Sequence, residues 1–265
     1  MLDPNARFLH GSTMSHVTRM TVTGMLGLTF MFVVDLANLF WISRLGDERM
    51  VAALGFAWNV QFFSISVGIG LMIAATALVS KAIGQGRREE ARRFATGCMA
   101  LGVCLQALVA ILIVMFRSKI VAFTGATGET ALLAERFLLI SVPTLPLMAV
   151  GMIGSAILRS EGDAYRAMFV TMSAGLVAVV ADPILIIWFD LGLDGAAINT
   201  GLSRLVSTSI AIWSVIRVHN LLGRLTLSII KVAFTPFLII ALPAILTQLS
   251  GTFASFIITR AIAEF

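Results

Sequence analysis

Charged residues are scarce in this 265-residue sequence, in which 12% of the residues are charged and 58% are hydrophobic. A soluble globular domain has about 25% charged and about 45–50% apolar residues. Because a lipid bilayer excludes charged groups, this shortage of charge excludes an ordinary soluble protein. It indicates an integral membrane protein.

Cysteine is scarce as well, and the two cysteines, Cys98 and Cys104, lie six positions apart in one apolar run. That spacing places them on different faces of a helix, so neither a disulfide nor a pair of metal ligands is predicted. The net charge of +5 does not indicate a nucleic acid partner, because the basic residues form short clusters between apolar runs, as in membrane-protein loops.

No enzyme activity and no cofactor is predicted. The segment KAIGQGRREEARR contains a GQG triplet. It has no third glycine, and it follows an apolar run rather than a strand, so it is not a dinucleotide-binding motif.

Long hydrophobic runs dominate what is present. A helix of about 20 apolar residues crosses a bilayer, and the sequence has seven such runs, at about 20–43, 51–79, 94–116, 133–158, 167–189, 195–217 and 233–259. They predict an all-α, polytopic membrane protein. The fourth run contains Pro143 and Pro146, and it is therefore predicted to be kinked.

The distribution of Lys and Arg predicts the orientation. Twelve of them lie at the N-terminus and in the even-numbered loops, whereas five lie in the odd-numbered loops. Loops with more Lys and Arg stay in the cytoplasm. We therefore predict a multi-pass protein of a bacterial cytoplasmic (inner) membrane, with a cytoplasmic N-terminus and with membrane lipids as partners.

Only two of the fourteen acidic residues, Asp35 and Asp182, lie well inside apolar runs. Such a carboxylate costs about 2.5 kcal/mol or more on insertion scales, so it marks a functional site by default. At about 1.5 Å per residue, the two acids lie roughly 13 Å and 12 Å from the outer ends of their helices. This shared depth predicts that both carry protons or cations.

Further polar residues are expected to line the same cavity. Asn59 reaches a similar depth, Arg204 lies somewhat deeper, where it is expected to pair with an acid or to line the cavity, and Asn38 and Gln61 are candidates by position. An acid in a low-dielectric site can alternate between neutral and charged forms, which would couple proton movement to the shape of the cavity. A carboxyl that merely joins two helices by a hydrogen bond remains the alternative.

A faint internal repeat suggests the overall organisation. FWISRLGDE at 40–48 aligns with FIITRAIAE at 256–264, and repeated halves are common in secondary transporters. A repeat of six helices makes the seventh helix the first of a second unit, so we expect half of a transporter plus one helix.

Four segments resemble the multidrug and toxic compound extrusion (MATE) family in their order and spacing: VVDLANLFWISRLGDERMVAALGFA, GIGLMIAATALVSKAIGQGRREEARR, AILRSEGDAYRA and ADPILIIWFDLGLDGAAINTGLSRLVS. The resemblance implies an exporter of organic cations, drugs or amphipathic metabolites, driven by H⁺ or Na⁺. It matches Asp35 and Asp182 to the family's first-helix and fifth-helix acids, and Thr200 to its sixth-helix threonine.

The resemblance also implies a division of the chain, and the missing C-terminal lobe is expected to be required for activity. The expected parts are a cytoplasmic N-terminus (1–19), a six-helix N-lobe (20–217), a cytoplasmic linker (218–232) and the first helix of a truncated C-lobe (233–265).

Two positions depart from the family pattern. Ala178 stands where the fifth helix usually has Asn, and Gly251 stands where some members have a Glu that binds sodium. The missing Glu favours H⁺ over Na⁺ as the coupling ion, whereas the missing Asn removes an expected hydrogen-bond partner of Asp182 from the proton relay. Two alternatives stay open: a flippase of lipid-linked oligosaccharides from the same superfamily, and an inactive or partner-dependent half-transporter.

Overall fold

The computed structural model describes residues 12–263, with the side chains of 12–251 apart from Thr13, His16, Leu28 and Met31. Arg7 and the last two residues of the expected C-lobe segment lie outside the described residues. The α-helices are α1 (Thr13–Ser43), α2 (Glu48–Gly84), α3 (Arg88–Phe123), α4 (Gly128–Ser141), α5 (Leu145–Ser160), α6 (Ala164–Pro183), α7 (Gly192–Trp213) and α8 (Leu227–Ala263).

The helices confirm the predicted all-α membrane fold. Within the described residues, six segments are long and apolar enough to cross a membrane: Val17–Ser43, Glu48–Gly84, Arg88–Phe123, Gly128–Ser160, Ala164–Trp188 and Leu227–Gly251. The predicted run at 195–217 also forms a helix, α7, but it is not among these six. Asp194 and Arg204 lie in α7, and they lower its apolar character.

Proline interrupts two of the spans. The span Gly128–Ser160 breaks into α4 and α5 at a 3₁₀ turn, Val142–Thr144, which contains Pro143. Because proline has no N–H to donate, the helical ladder fails there, and the predicted kink is confirmed. At the end of α6, Pro183 is followed by a π-helical turn, Ile184–Trp188.

The central helix α2 contributes to both buried apolar clusters. One cluster joins α2 to α3, α5, α6, α7 and α8 and includes Leu71, Ile153 and Phe237. The other joins α2 to α3, α4, α7 and the end of α1, and it includes Ile42, Leu54 and Leu138. A Cβ atom at Gly70 of α2 would lie 2.8 Å from the backbone nitrogen of Ile245, so glycine permits the close approach of α8.

In contrast to α2, α1 lies at the edge of the bundle. It packs mainly against α6 and makes few contacts with α2 and α7. Its outer face exposes large apolar side chains such as Phe32 and Leu36, as expected for a helix that faces lipid. The position of α1 therefore depends on what joins it to α6.

Ion pairs and hydrogen bonds connect the loops at each end of the bundle. At one end, here called the basic end, residues 85–87, 161–163 and 219–226 meet. Arg88 donates through Nη2 to the carbonyl of His219 at 3.0 Å, and Arg92 donates through Nε to the carbonyl of Leu222 at 3.2 Å. At the opposite end, Arg136 and Asp194 form an ion pair of 2.6 Å.

Asp163 is the centre of a small network at the basic end. Its side chain is buried, caps α6 by accepting from the backbone N–H of Arg166 at 3.2 Å, and pairs with the guanidinium of Arg166. The imidazole Nε2 of His219 lies 3.0 Å from the second carboxylate oxygen. Burial alone would raise the pKa of Asp163, but the hydrogen bonds from Arg166 and the contact with His219 outweigh it and lower that pKa.

We expect Asp163→Asn to destabilise the protein at neutral pH. Because the folded-state pKa is lowered, the charged carboxylate stabilises the fold fully above its ordinary pKa of 3.8. That contribution is lost as the pH falls through the folded-state pKa. The expected loss at pH 7 is about 1.5–3 kcal/mol, typical of hydrogen bonds to a charged group.

Thermal unfolding of the purified protein in detergent between pH 3 and pH 7 measures this effect. The difference between wild type and Asp163→Asn should shrink towards the acidic end. Glu48→Gln removes the same charge from an exposed residue, and it should change stability by less than about 0.5 kcal/mol. A difference that stays constant with pH would contradict the assignment.

Candidate functional site

Asp182 is completely buried, at 0% exposure, on the last turn of α6. The side-chain amide of Asn38 on α1 donates to its two carboxylate oxygens, at 3.1 Å each. The amide of Asn199 on α7 donates to Oδ1 at 2.5 Å. The predicted acid therefore joins three helices, and Asn38, predicted from position alone, is one of its partners.

The break in α6 and a glycine in α7 position these groups. Pro183 ends α6 directly after Asp182, and the π-helical turn follows. A Cβ atom at Gly195 would lie 2.8 Å from the carbonyl carbon of Leu185 in that turn. Only glycine permits this approach, and it brings Asn199, one helical turn further along α7, to Asp182.

Asn199 supplies an amide close to where the family pattern places one. Its Nδ2 donates to the backbone carbonyl of Ala178 at 3.0 Å as well as to Asp182. Ala178 is the position at which the resemblance implies Asn, and here an amide from α7 donates to Asp182. A role for Asn199 was not predicted from the sequence. Its polar side chain inside the apolar run at 195–217, next to Thr200, could have identified it as a candidate.

The Asp182 carboxylate has no cationic partner among residues 12–251. A buried charge without a counter-ion is unfavourable unless hydrogen bonds or an added cation compensate for it. The two amides provide such hydrogen bonds when Asp182 is charged. A proton or a cation is the species that would neutralise it.

Asp35 lies in a different environment. It is half-buried on α1, three residues before Asn38, which corresponds to about 4.5 Å along the helix axis. Within the described residues, Asp35 makes no hydrogen bond and no ion pair. Asp35 therefore lies on the helix that carries Asn38, but it is not part of the Asp182 network.

A second polar cluster surrounds Arg204 of α7. Its Nη1 donates to the carbonyl of Ser141 at 2.9 Å and to Oγ1 of Thr144 at 2.7 Å, and its Nη2 donates to Oε1 of Gln61 at 2.9 Å. Gln61 in turn donates to the hydroxyl of Ser141 at 2.8 Å. The structure thus joins two of the predicted cavity residues, Gln61 and Arg204.

Of the two expectations for Arg204, pairing with an acid is not met in the described part of the chain, whereas lining of the cavity stays a prediction. Its acceptors are neutral oxygens at the kink between α4 and α5. The 3₁₀ turn that contains Pro143 exposes the Ser141 carbonyl as an acceptor, because an interrupted helix leaves backbone carbonyls without helical donors. The guanidinium therefore links α2, α7 and the kinked span.

The other two predicted cavity residues, Asn59 and Thr200, belong neither to the Asp182 site nor to the Arg204 cluster. Asn59 donates to the carbonyl of Gly55 at 3.4 Å, and the Thr200 hydroxyl donates to the carbonyl of Ala196 at 3.0 Å. Each acceptor belongs to the residue's own helix. Both side chains are half-buried.

Comparison with known proteins identifies the family. The family model MatE matches residues 24–184, more than half of the chain. The chain belongs to the MatE family. A FAD transporter of Shewanella oneidensis is 27% identical to this MatE chain over 253 residues, which cover 92% of this chain and 55% of that protein. The multidrug export protein MepA of Staphylococcus aureus is 25% identical over 185 residues, covering 69% of this chain and 41% of that protein.

Solved structures agree with this assignment. A multidrug resistance MATE family transporter in an outward-facing conformation matches 97% of this MatE chain with a TM-score of 0.87 and 26% identity, and the match covers 57% of that transporter. A MOP superfamily transporter from Pyrococcus furiosus matches the same share with a TM-score of 0.87 and 25% identity, and the match again covers 57% of that chain. The chain spans about half the length of the curated relatives it matches.

We expect Asn199→Leu to lower the free energy of unfolding by about 1–3 kcal/mol, the usual effect of leaving a buried polar group without its partner. The substitution keeps the side-chain shape but removes the donor to Asp182 and Ala178. Thermal unfolding in detergent measures the loss.

Thr200→Val is the matched control, because its hydroxyl donates only within its own helix. It should change stability by less than about 0.5 kcal/mol. Equal stability of the two variants would show that the Asn199 amide does not support the Asp182 site.

Proposed function

We propose that this chain is part of a proton-coupled secondary transporter of a bacterial cytoplasmic membrane, which exports organic cations or amphipathic compounds. The basic end would face the cytoplasm, as the excess of Lys and Arg there favours. The observation that carries the proposal is the Asp182 carboxylate, which is completely buried and held by two amides from two other helices.

Proton binding would change how Asp182 holds the helices. When charged, both carboxylate oxygens accept hydrogen bonds. When protonated, one oxygen carries a hydrogen, and its contact with the N–H of Asn38 becomes unfavourable. Because α1 packs mainly against α6, loss of this contact would weaken the attachment of α1. Asp35 on α1 is the proposed second proton carrier.

The donor set at Asp182 favours H⁺ over Na⁺. Hard metal cations are bound by several oxygen ligands. Here the Asn38 and Asn199 amides present N–H groups to the carboxylate, and a cation cannot use these. The oxygens that remain are those of the carboxylate, the Ala178 carbonyl and the buried Asn199 Oδ1, which has no hydrogen-bond partner among the described residues.

Uptake of a fluorescent organic cation into inverted vesicles under an imposed pH gradient tests the proposal, because an exporter moves its substrate into the lumen of such vesicles. We expect Asp182→Asn and Asp35→Asn to reduce pH-driven transport to the level of vesicles without the protein, because neither amide can carry the proton. Asp190→Asn is the matched control, since Asp190 is exposed just beyond the same helix and should leave transport unchanged. Full pH-driven transport by both acid variants would refute proton coupling through these residues.

A second candidate function is the transport of an anionic compound. Two observations favour it: the guanidinium of the half-buried Arg204 has only neutral partners among the described residues, and one relative is a FAD transporter. In this case Arg204→Gln should abolish uptake of a flavin nucleotide into the same vesicles and spare transport of the cationic dye. Flavin transport that survives Arg204→Gln would exclude this role of Arg204.

A further inference from the structure

Two neighbouring cavities open at the basic end, where α3 begins and where residues 219–226 lead into α8. Their volumes are about 410 Å³ and about 700 Å³. Arg93 lines both cavities, and Arg92 and Arg224 line the smaller one. None of these residues belongs to the clusters around Asp182 and Arg204.

The charges of these cavities are not balanced. Within the described residues, Arg93 and Arg224 have neither a hydrogen-bond partner nor an ion-pair partner. Arg92 approaches Glu89 only to 3.8 Å, and the other acid of the larger cavity, Glu90, already pairs with Arg87 at 2.6 Å. Two guanidinium groups therefore remain available for an added anion.

Hydrogen bonds fix the wall of the smaller cavity. The backbone N–H of Gly223 donates to the Thr96 hydroxyl at 2.8 Å, and Arg92 holds the carbonyl of Leu222 at 3.2 Å. The segment that carries Arg224 is thus attached to α3 at two points. The basic groups therefore line a groove whose wall is held by hydrogen bonds.

The groove is apolar on the side where the membrane-spanning parts of α3 and α8 begin. Ile229 lines the smaller cavity, and Phe94 and Val232 line the larger one. All three lie within the first two turns of α3 or α8, where the apolar spans begin. An anion with hydrocarbon chains could bind the guanidinium groups and also pack against the apolar wall. A free anion could bind only the guanidinium groups.

We propose that this groove is a phosphate-binding site for the headgroup of an anionic membrane phospholipid. Arg93 and Arg224 would bind the phosphate group through charge-assisted hydrogen bonds, and the acyl chains would lie against Phe94 and Val232. Basic pockets between membrane helices bind anionic headgroups in this manner. The site is independent of substrate transport.

The chain purified in mild detergent, with phosphatidylglycerol as the probe, tests the proposal by native mass spectrometry. Wild type should retain phosphatidylglycerol in preference to phosphatidylcholine. The pair Arg93→Gln and Arg224→Gln should weaken that binding by about thirtyfold, the effect of two basic residues at about 1 kcal/mol each. Arg93→Lys with Arg224→Lys keeps both charges and should retain the preference.

The control pair is Lys81→Gln with Arg217→Gln, which removes two exposed charges from the same end of the bundle but from residues outside the groove. It should leave the preference intact. An unchanged preference in the Arg93 and Arg224 glutamine pair, or an equal loss in the control pair, would overturn the proposal. Displacement of the lipid by millimolar inorganic phosphate would assign the site to free phosphate and overturn the lipid assignment.

Discussion

A carboxylate with no access to water has to be compensated by its neighbours, and much of the polar architecture of this chain follows from that requirement at Asp182. Two amides from two other helices approach it. Their approach depends on the π-helical turn after Pro183 and on the absence of a side chain at Gly195. The same contacts attach α1, because α1 has few neighbours besides α6. In the proposed mechanism, proton occupancy of Asp182 would therefore be linked to the position of α1.

The buried Asp182 and the half-buried Arg204 are two groups of opposite charge that do not pair with each other. Asn199, which binds Asp182, and Arg204 are five residues apart on α7, or about 7.5 Å along its axis. The carboxylate is held by amides, and the guanidinium is held by neutral oxygens of the kinked span. A direct ion pair between Asp182 and Arg204 would have neutralised both charges and left neither group free to bind a proton or a substrate. Under the proposed function, this separation would leave each group available to a proton or a substrate.

The sequence allowed the helices, the kink at Pro143 and the buried acid to be predicted, because run length, proline and an isolated charge are local signals. The role of Asn199 could not be predicted in the same way, since it depends on which face of α7 meets α6. The partners of Arg204 depend on carbonyls that become available only where the helix breaks. Hydropathy alone does not identify α7 as a membrane span, because the polar residues that bind its neighbours also lower its apolar character.

The contacts between the helices indicate which helix protonation of Asp182 would be most able to move. The helices α2, α3, α5, α6, α7 and α8 share one buried cluster, and the segment between α7 and α8 is attached to α3 by Arg92 and Thr96. Asp163 and His219 connect the start of α6 to the end of α7. Such a body resists deformation, because well-packed interiors do not deform continuously. The helix α1 lies outside that cluster, so it is the element whose position a proton on Asp182 would alter at the lowest energetic cost.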